Sequence, residues 1–332
     1  MSRRWLLALV SALLLYLILG LSVGLQGVGQ RLADLAWWWW PLAVIVVTTG
    51  YGFLLGRWQL YLARLGAPLD LVAGAKIYGA GLALIAAPGR SGEALRGLWL
   101  RRRHGVPLAV GVGITLAERL TDLTAALLVL CWGLGNRLLP SLTVLVLIGG
   151  LAAWLLSHPT TLRRLDHGLE RLPVTRPWHG LTRLLRAALA SLGQLRTLLR
   201  PGPLLVGTLL AGLCWLLESL LLQGLLHGLQ APITLQQASV IRTAMALGGA
   251  LSILPAGLGT SEATAIGLAI SFGIARPAAL AATLILRLAT VAYPAMVGSL
   301  LLARQRDLGR TRTRDDETSS SPGLSAGERP QR

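Results

Sequence analysis

The chain is 332 residues long, 54% hydrophobic and 14% charged, with a mean hydropathy of +0.62. A soluble domain carries about 25% charged residues, so this composition excludes an ordinary globular enzyme. The net charge of +17, from 31 Lys and Arg against 14 Asp and Glu, would suit a nucleic-acid partner in a soluble protein; here most of the basic residues crowd into segments between long apolar runs, as in a polytopic membrane protein.

The first apolar run, Trp5 to Leu25, follows Arg3 and Arg4. It is long and lacks a small-residue cleavage site, so it reads as an uncleaved membrane helix rather than a signal peptide. A second helix is predicted over about 37–56, opened by Trp37 to Trp40 and Pro41, a cluster suited to the membrane interface. Arg57 and Arg64 then read as markers of the cytoplasmic side. The apolar segment 70–88 has arginines on both flanks, which predicts a re-entrant hairpin over about 70–100 with its turn at Pro88-Gly89.

Helices three and four are predicted over about 107–130 and 139–157. The basic segment 158–203 carries Leu162, Leu165, Leu169 and Leu172 at helical spacing, as in an amphipathic helix lying on a membrane surface. Helix five covers about 204–229. A second hairpin follows over about 237–274, broken by Pro255, Gly257 and Gly259, and helix six covers about 278–302. The tail from 303, rich in Ser, Gly, Arg and acids, lacks the apolar residues to fold alone. The fold expected is therefore an all-α bundle of about six transmembrane helices plus two re-entrant hairpins, divided at 1–157, 158–203, 204–302 and 303–332. Basic residues at the N-terminus, in 90–105, in 158–203 and in the tail place both termini in the cytoplasm.

Two stretches resemble each other: Pro88-Gly89-Arg90-Ser91-Gly92-Glu93-Ala94, and Pro255 to Gly259 followed by Glu262-Ala263. Glu93 precedes Arg119 by 26 residues and Glu262 precedes Arg287 by 25, while Lys76 and Arg242 occupy comparable places in the first arms. With three spanning helices in each half, the second half is expected to be inverted. Inverted repeats with broken segments at corresponding positions point to a transporter site near the bilayer midplane.

Charges within apolar helices are costly and call for partners. Glu118 and Asp122 share one helix face, with Arg119 rotated about 100° from it; Glu262 and Arg287 are the counterparts in the second half. Glu218 stands alone and reads as a bond to a neighbouring helix. Arg90 and Arg96 sit at or one turn beyond the first hairpin turn, and a guanidinium there suits a phosphate. The exposed amides of Gly89, Gly92, Gly257 and Gly259 could receive an anionic oxygen as well. The substrate-binding set is thus Arg90, Glu93, Arg96, Glu118, Arg119, Asp122, Glu262 and Arg287, with Pro88, Gly89, Gly92, Pro255, Gly257 and Gly259 forming the turns.

Arg101, Arg102 and Arg103 read as topology determinants that also meet anionic head groups. Cys131 and Cys214 show neither metal spacing nor a disulfide framework and read as packing residues. The five histidines are scattered, so no metal, cofactor or nucleophile constellation is expected. There is no Gly-x-x-x-x-Gly-Lys-[Ser/Thr] motif, which leaves downhill scrambling or a proton gradient as the energy source.

The motifs Pro88 to Glu93, Arg101-Arg102-Arg103-His104-Gly105-Val106, Glu118-Arg119-Leu120-Thr121-Asp122, and Pro255-Ala256-Gly257-Leu258-Gly259 with Glu262, in this order over roughly residues 5–302, resemble the lysylphosphatidylglycerol synthase transmembrane region, or flippase-like, family. The second turn departs from the double glycine often found there. The resemblance implies a membrane region that moves an aminoacylated phospholipid between leaflets, while a separate cytosolic domain makes that lipid from aminoacyl-tRNA. This chain resembles the flippase half alone, so synthase activity is not expected. What is expected is a lipid translocase of a bacterial inner membrane, acting on a phospholipid or polyprenyl-linked anionic lipid at an anionic membrane surface. A homodimer is open, as are two rival readings: a membrane enzyme acting on a lipid-linked substrate, and a non-transporting adaptor.

Overall fold

The computed structural model describes residues 25–85, 91–135, 149–150, 152, 154–155, 157–170, 179–250, 252 and 255–304. Helix one of the sequence reading, most of helix four and the tail lie outside them. The described residues form helices, in the order α1 (Leu25–Asp34), α2 (Trp39–Arg64), α3 (Leu71–Gly81, extended by a 3-10 turn at Leu82–Leu84), α4 (Ser91–His104), α5 (Leu108–Gly133), α6 (Pro159–Glu170), α7 (His179–Leu198), α8 (Pro201–Gly228), α9 (Leu235–Ala250), α10 (Thr260–Ser271), α11 (Arg276–Arg287) and α12 (Tyr293–Arg304).

The helix limits follow local chemistry. Asp70 caps α3, its carboxylate accepting from the amides of Val72 and Ala73 at 3.0 and 3.2 Å. Pro107 opens α5 and Pro201 stands in the first turn of α8, where a missing N–H costs nothing. The chain is an all-α, polytopic helical membrane protein. Trp39–Arg64, Pro201–Gly228 and the continuous stretch Arg276–Arg304 are long and apolar enough to cross a bilayer. Helix α5 has 26 residues, as many as α2, but it carries Glu118, Arg119 and Asp122.

The two predicted hairpins correspond to the pairs α3–α4 and α9–α10. At 11, 14, 16 and 12 residues, none of the four helices reaches the about 20 residues of a full crossing. In the second pair, Gly248 faces Thr264 and Gly249 faces Ser261, so the two arms run antiparallel with almost no separation. The Pro88-Gly89 turn of the first pair lies outside the described residues. The amphipathic stretch around Leu162 and Leu165 forms α6, whereas α7 packs along α5, with Ser191, Leu195 and Leu198 buried; Leu172 is outside the described residues.

Helix α8 is the axis of the bundle, packed on α2, α5, α9 and α11. It runs antiparallel to α2: Trp39 lies opposite Gly224, Gly50 opposite Cys214 and Tyr61 opposite Gly207. The glycines are what admit the large rings, since a Cβ at Gly224 would lie 2.5 Å from the Trp39 ring. Cys214 is thus the packing residue expected of it. Two apolar cores result. One joins α1, the start of α2, the end of α8 and helices α9 to α11; the other joins the end of α2 with α3, α4, the first half of α5 and the end of α7.

Candidate functional site

Ionic side chains gather along the junction of these two cores. Glu118 of α5, 1% exposed, receives Arg96 of α4 through both carboxylate oxygens, at 3.0 and 3.5 Å. Arg57 of α2 lies 3.9 Å from the same carboxylate and donates to Asp122 at 2.5 Å and to the Thr121 hydroxyl at 3.1 Å. Asp122 in turn lies 3.3 Å from Arg119. The Arg96 guanidinium also stacks 4.6 Å over the ring of Tyr78. The charges therefore alternate along a ladder, Arg96, Glu118, Arg57, Asp122, Arg119, from a sealed interior to the Arg119 side chain, which is 41% exposed.

The ladder corrects the sequence reading in one respect. Arg57, taken as a cytoplasmic marker, is 2% exposed. The reason is that α2 does not stop at residue 56 but runs to Arg64, with Trp58, Tyr61 and Leu62 continuing its buried face. Arg57 then lies inside the helix and needs the two acids of α5. Glu118 and Asp122 do share a face, as their spacing of four requires, and Arg57 bridges them there.

A second ionic contact joins α8 to α9. Glu218 does not stand alone: it meets Arg242 of α9 in a close ion pair, and the Arg242 guanidinium stacks 4.9 Å over Trp215. The bond to a neighbouring helix inferred from the sequence is thus an ionic one.

The third element is the second hairpin turn. Pro255–Gly257 forms a 3-10 turn, with Ala256 at φ 55°, Gly257 at 66° and Gly259 at 87°, the left-handed region that a β-carbon disfavours. Glu262, in the first turn of α10 and fully buried, accepts from the Gly259 amide at 2.6 Å. Its other oxygen lies 2.7 Å from Arg287 Nε of α11, and Arg287 Nη2 donates to the Ala256 carbonyl at 2.8 Å. Glu262 and Arg287 thereby clasp a strained turn from both sides. Directly after Arg287, residues Leu288–Ala292 form a π-helical turn, a feature that often accompanies functional sites. Tyr51 of α2 donates to the Thr290 carbonyl within it at 3.4 Å.

Of the residues singled out from sequence, the structure brings Arg96, Glu118, Arg119 and Asp122 into one cluster and Glu262, Arg287, Gly257 and Gly259 into another. Gly92 and Glu93 lie in the first turn of α4, where only the backbone is described; Pro88, Gly89 and Arg90 are outside the described residues. Pro255 stands at the start of the 3-10 turn. Arg57, Glu218 and Arg242 complete the clusters and had not been assigned to the site. Among the described residues no group of His, Cys, Asp and Glu has the arrangement of a metal site.

An all-helical bundle with apolar spans and with arginine–carboxylate clusters buried among them defines a polytopic membrane protein with an internal polar site. The chain belongs to the family described as the lysylphosphatidylglycerol synthase TM region, whose sequence pattern matches residues 5–298. No curated protein matches it. The family places the chain among membrane proteins that act on lipids.

Proposed function

We propose that the protein is a lipid translocase, a carrier rather than a catalyst, that passes an anionic phospholipid or lipid-linked head group between leaflets of a bacterial inner membrane, with both termini in the cytoplasm. The observation that carries this reading is the ladder from the half-exposed Arg119 to the sealed Arg96–Glu118 pair. A phosphate that replaces Asp122 on Arg119 and Arg57, and then Glu118 on Arg57 and Arg96, always keeps a guanidinium partner as it leaves water. This offsets the desolvation that makes a bare charge in a bilayer costly. Among described side chains the three clusters hold Arg57, Arg96, Arg119, Arg242 and Arg287 beside Glu118, Asp122, Glu218 and Glu262, so an anionic head group entering them meets a guanidinium beside each carboxylate.

The hairpin pairs α3–α4 and α9–α10 support an inverted repeat, in which Glu262 and Arg287 act for the second half as Glu93 and Arg119 do for the first. The clasped turn is then one gate, opened when a head group competes for Arg287. Leaflet exchange of fluorescent phosphatidylglycerol in proteoliposomes tests this. Wild type should exchange the lipid, and Glu262→Gln and Arg287→Ala should each reduce exchange about tenfold or more at equal reconstitution. Undiminished exchange by both variants would remove the gate assignment.

A further inference from the structure

Away from the ionic clusters, a cavity of about 450 Å³ opens where α7 ends and α8 begins, lined by Trp154, Gly193, Arg196, Thr197, Arg200 and Pro201 among others. Among the described residues no acidic side chain lines it. Arg196 stands in the last turn of α7 and Arg200 caps the start of α8, four residues on. Among the described residues neither guanidinium has an ion pair or hydrogen bond. Arg196 is half-buried and Arg200 exposed, whereas the buried Arg57 and Arg96 are matched to carboxylates. The positive pole of the 28-residue α8 adds to the same field.

The cavity sits at the end of a membrane-crossing helix, with the half-exposed indole of Trp154 beside it, as side chains of the interfacial level do. From Pro201 an apolar stripe runs along α8 at intervals of four residues through Leu205, 62% exposed, and Leu209, 57% exposed. Cationic donors at the head of a continuous exposed apolar stripe match one ligand chemistry: a phosphate diester with an acyl chain attached.

We propose that this cavity is a binding site for an anionic phospholipid, its phosphate held by Arg196 and Arg200 with the Thr197 hydroxyl, and its acyl chain laid along Leu205 and Leu209. The site lies outside the ladder and the clasped turn, so it stands whether or not the protein translocates lipid.

The test is native mass spectrometry of the full chain released from detergent micelles doped with phosphatidylglycerol or phosphatidylcholine, with inorganic phosphate as competitor. Wild type should retain phosphatidylglycerol about tenfold better than Arg196→Gln/Arg200→Gln. Arg196→Lys/Arg200→Lys, which keeps the charge but loses the planar fork, should fall between them. Arg186→Gln, an exposed arginine of α7 that pairs with Asp166 at 3.9 Å, should bind as wild type does. Equal retention by wild type and the glutamine variant would overturn the site. So would equal retention of the two lipids, or displacement by millimolar inorganic phosphate, which would mark a site for a soluble anion.

Discussion

Arg57 Nη1 donates to Asp122 Oδ1 at 2.5 Å, joining α2 to α5 across 65 positions of sequence, and the same guanidinium lies 3.9 Å from Glu118. One buried cation thus holds two carboxylates of a single helix face. Arg57→Ala should take from Asp122 the guanidinium 2.5 Å away and cost about 3 kcal/mol, the scale of an orphaned buried charge. Arg57→Ala/Asp122→Ala should be less destabilised than Arg57→Ala alone, as read from thermal unfolding in detergent. An unchanged midpoint in Arg57→Ala would contradict the bridge.

The clasp at the second turn separates two roles of Glu262. Glu262→Gln keeps an oxygen that can accept from the Gly259 amide but loses the charge opposite Arg287. Glu262→Ala loses both, and should cost about 1 kcal/mol more in stability, the usual value of a cap. Thermal unfolding of the pair should therefore differ, while both variants lose lipid exchange alike.

Backbone strain at the turn gives a further expectation. A Cβ at Gly257 would lie in the left-handed region at φ 66° and 2.5 Å from the Gly249 backbone. Gly257→Ala should therefore destabilise by at least about 1–2 kcal/mol. Gly267, within α10, has nothing within 4 Å of such a Cβ, and Gly267→Ala should be neutral or stabilise by up to about 1 kcal/mol. The two midpoints, measured side by side, should move in opposite directions or differ in size.

Glu218 and Arg242 bind α8 to α9 through an ion pair. Glu218→Gln should lower the unfolding midpoint while leaving lipid exchange per folded molecule within about twofold of wild type, a difference of less than 0.5 kcal/mol. Exchange that falls as far as in Glu262→Gln would move Glu218 from holding helices together to carrying substrate.

Much of this was legible in the sequence because the bilayer demands so much of it. Long uncharged runs fix spans, and charges inside them stand out as Glu118, Asp122 and Glu262 do. The glycines of the second turn were readable from Pro255, Gly257 and Gly259 because a left-handed backbone needs them. Arg57 was not, because an arginine at the apparent end of an apolar run looks the same whether the helix stops or continues; the signal was the helical spacing of Trp58, Tyr61 and Leu62 beyond it. The Glu218–Arg242 pair was hidden for another reason. Its partners are 24 residues apart on separate helices, and no periodicity within one helix reports a contact made by packing.

The most direct test of the central claim, that an arginine-rich ladder carries an anionic head group, is the selectivity of leaflet exchange. In proteoliposomes containing both, labelled phosphatidylglycerol should exchange about tenfold or more faster than labelled phosphatidylcholine in the presence of wild type, and Arg119→Gln should abolish most of the difference. Equal rates for the two lipids, or a phosphatidylglycerol rate no higher than in protein-free vesicles, would contradict it.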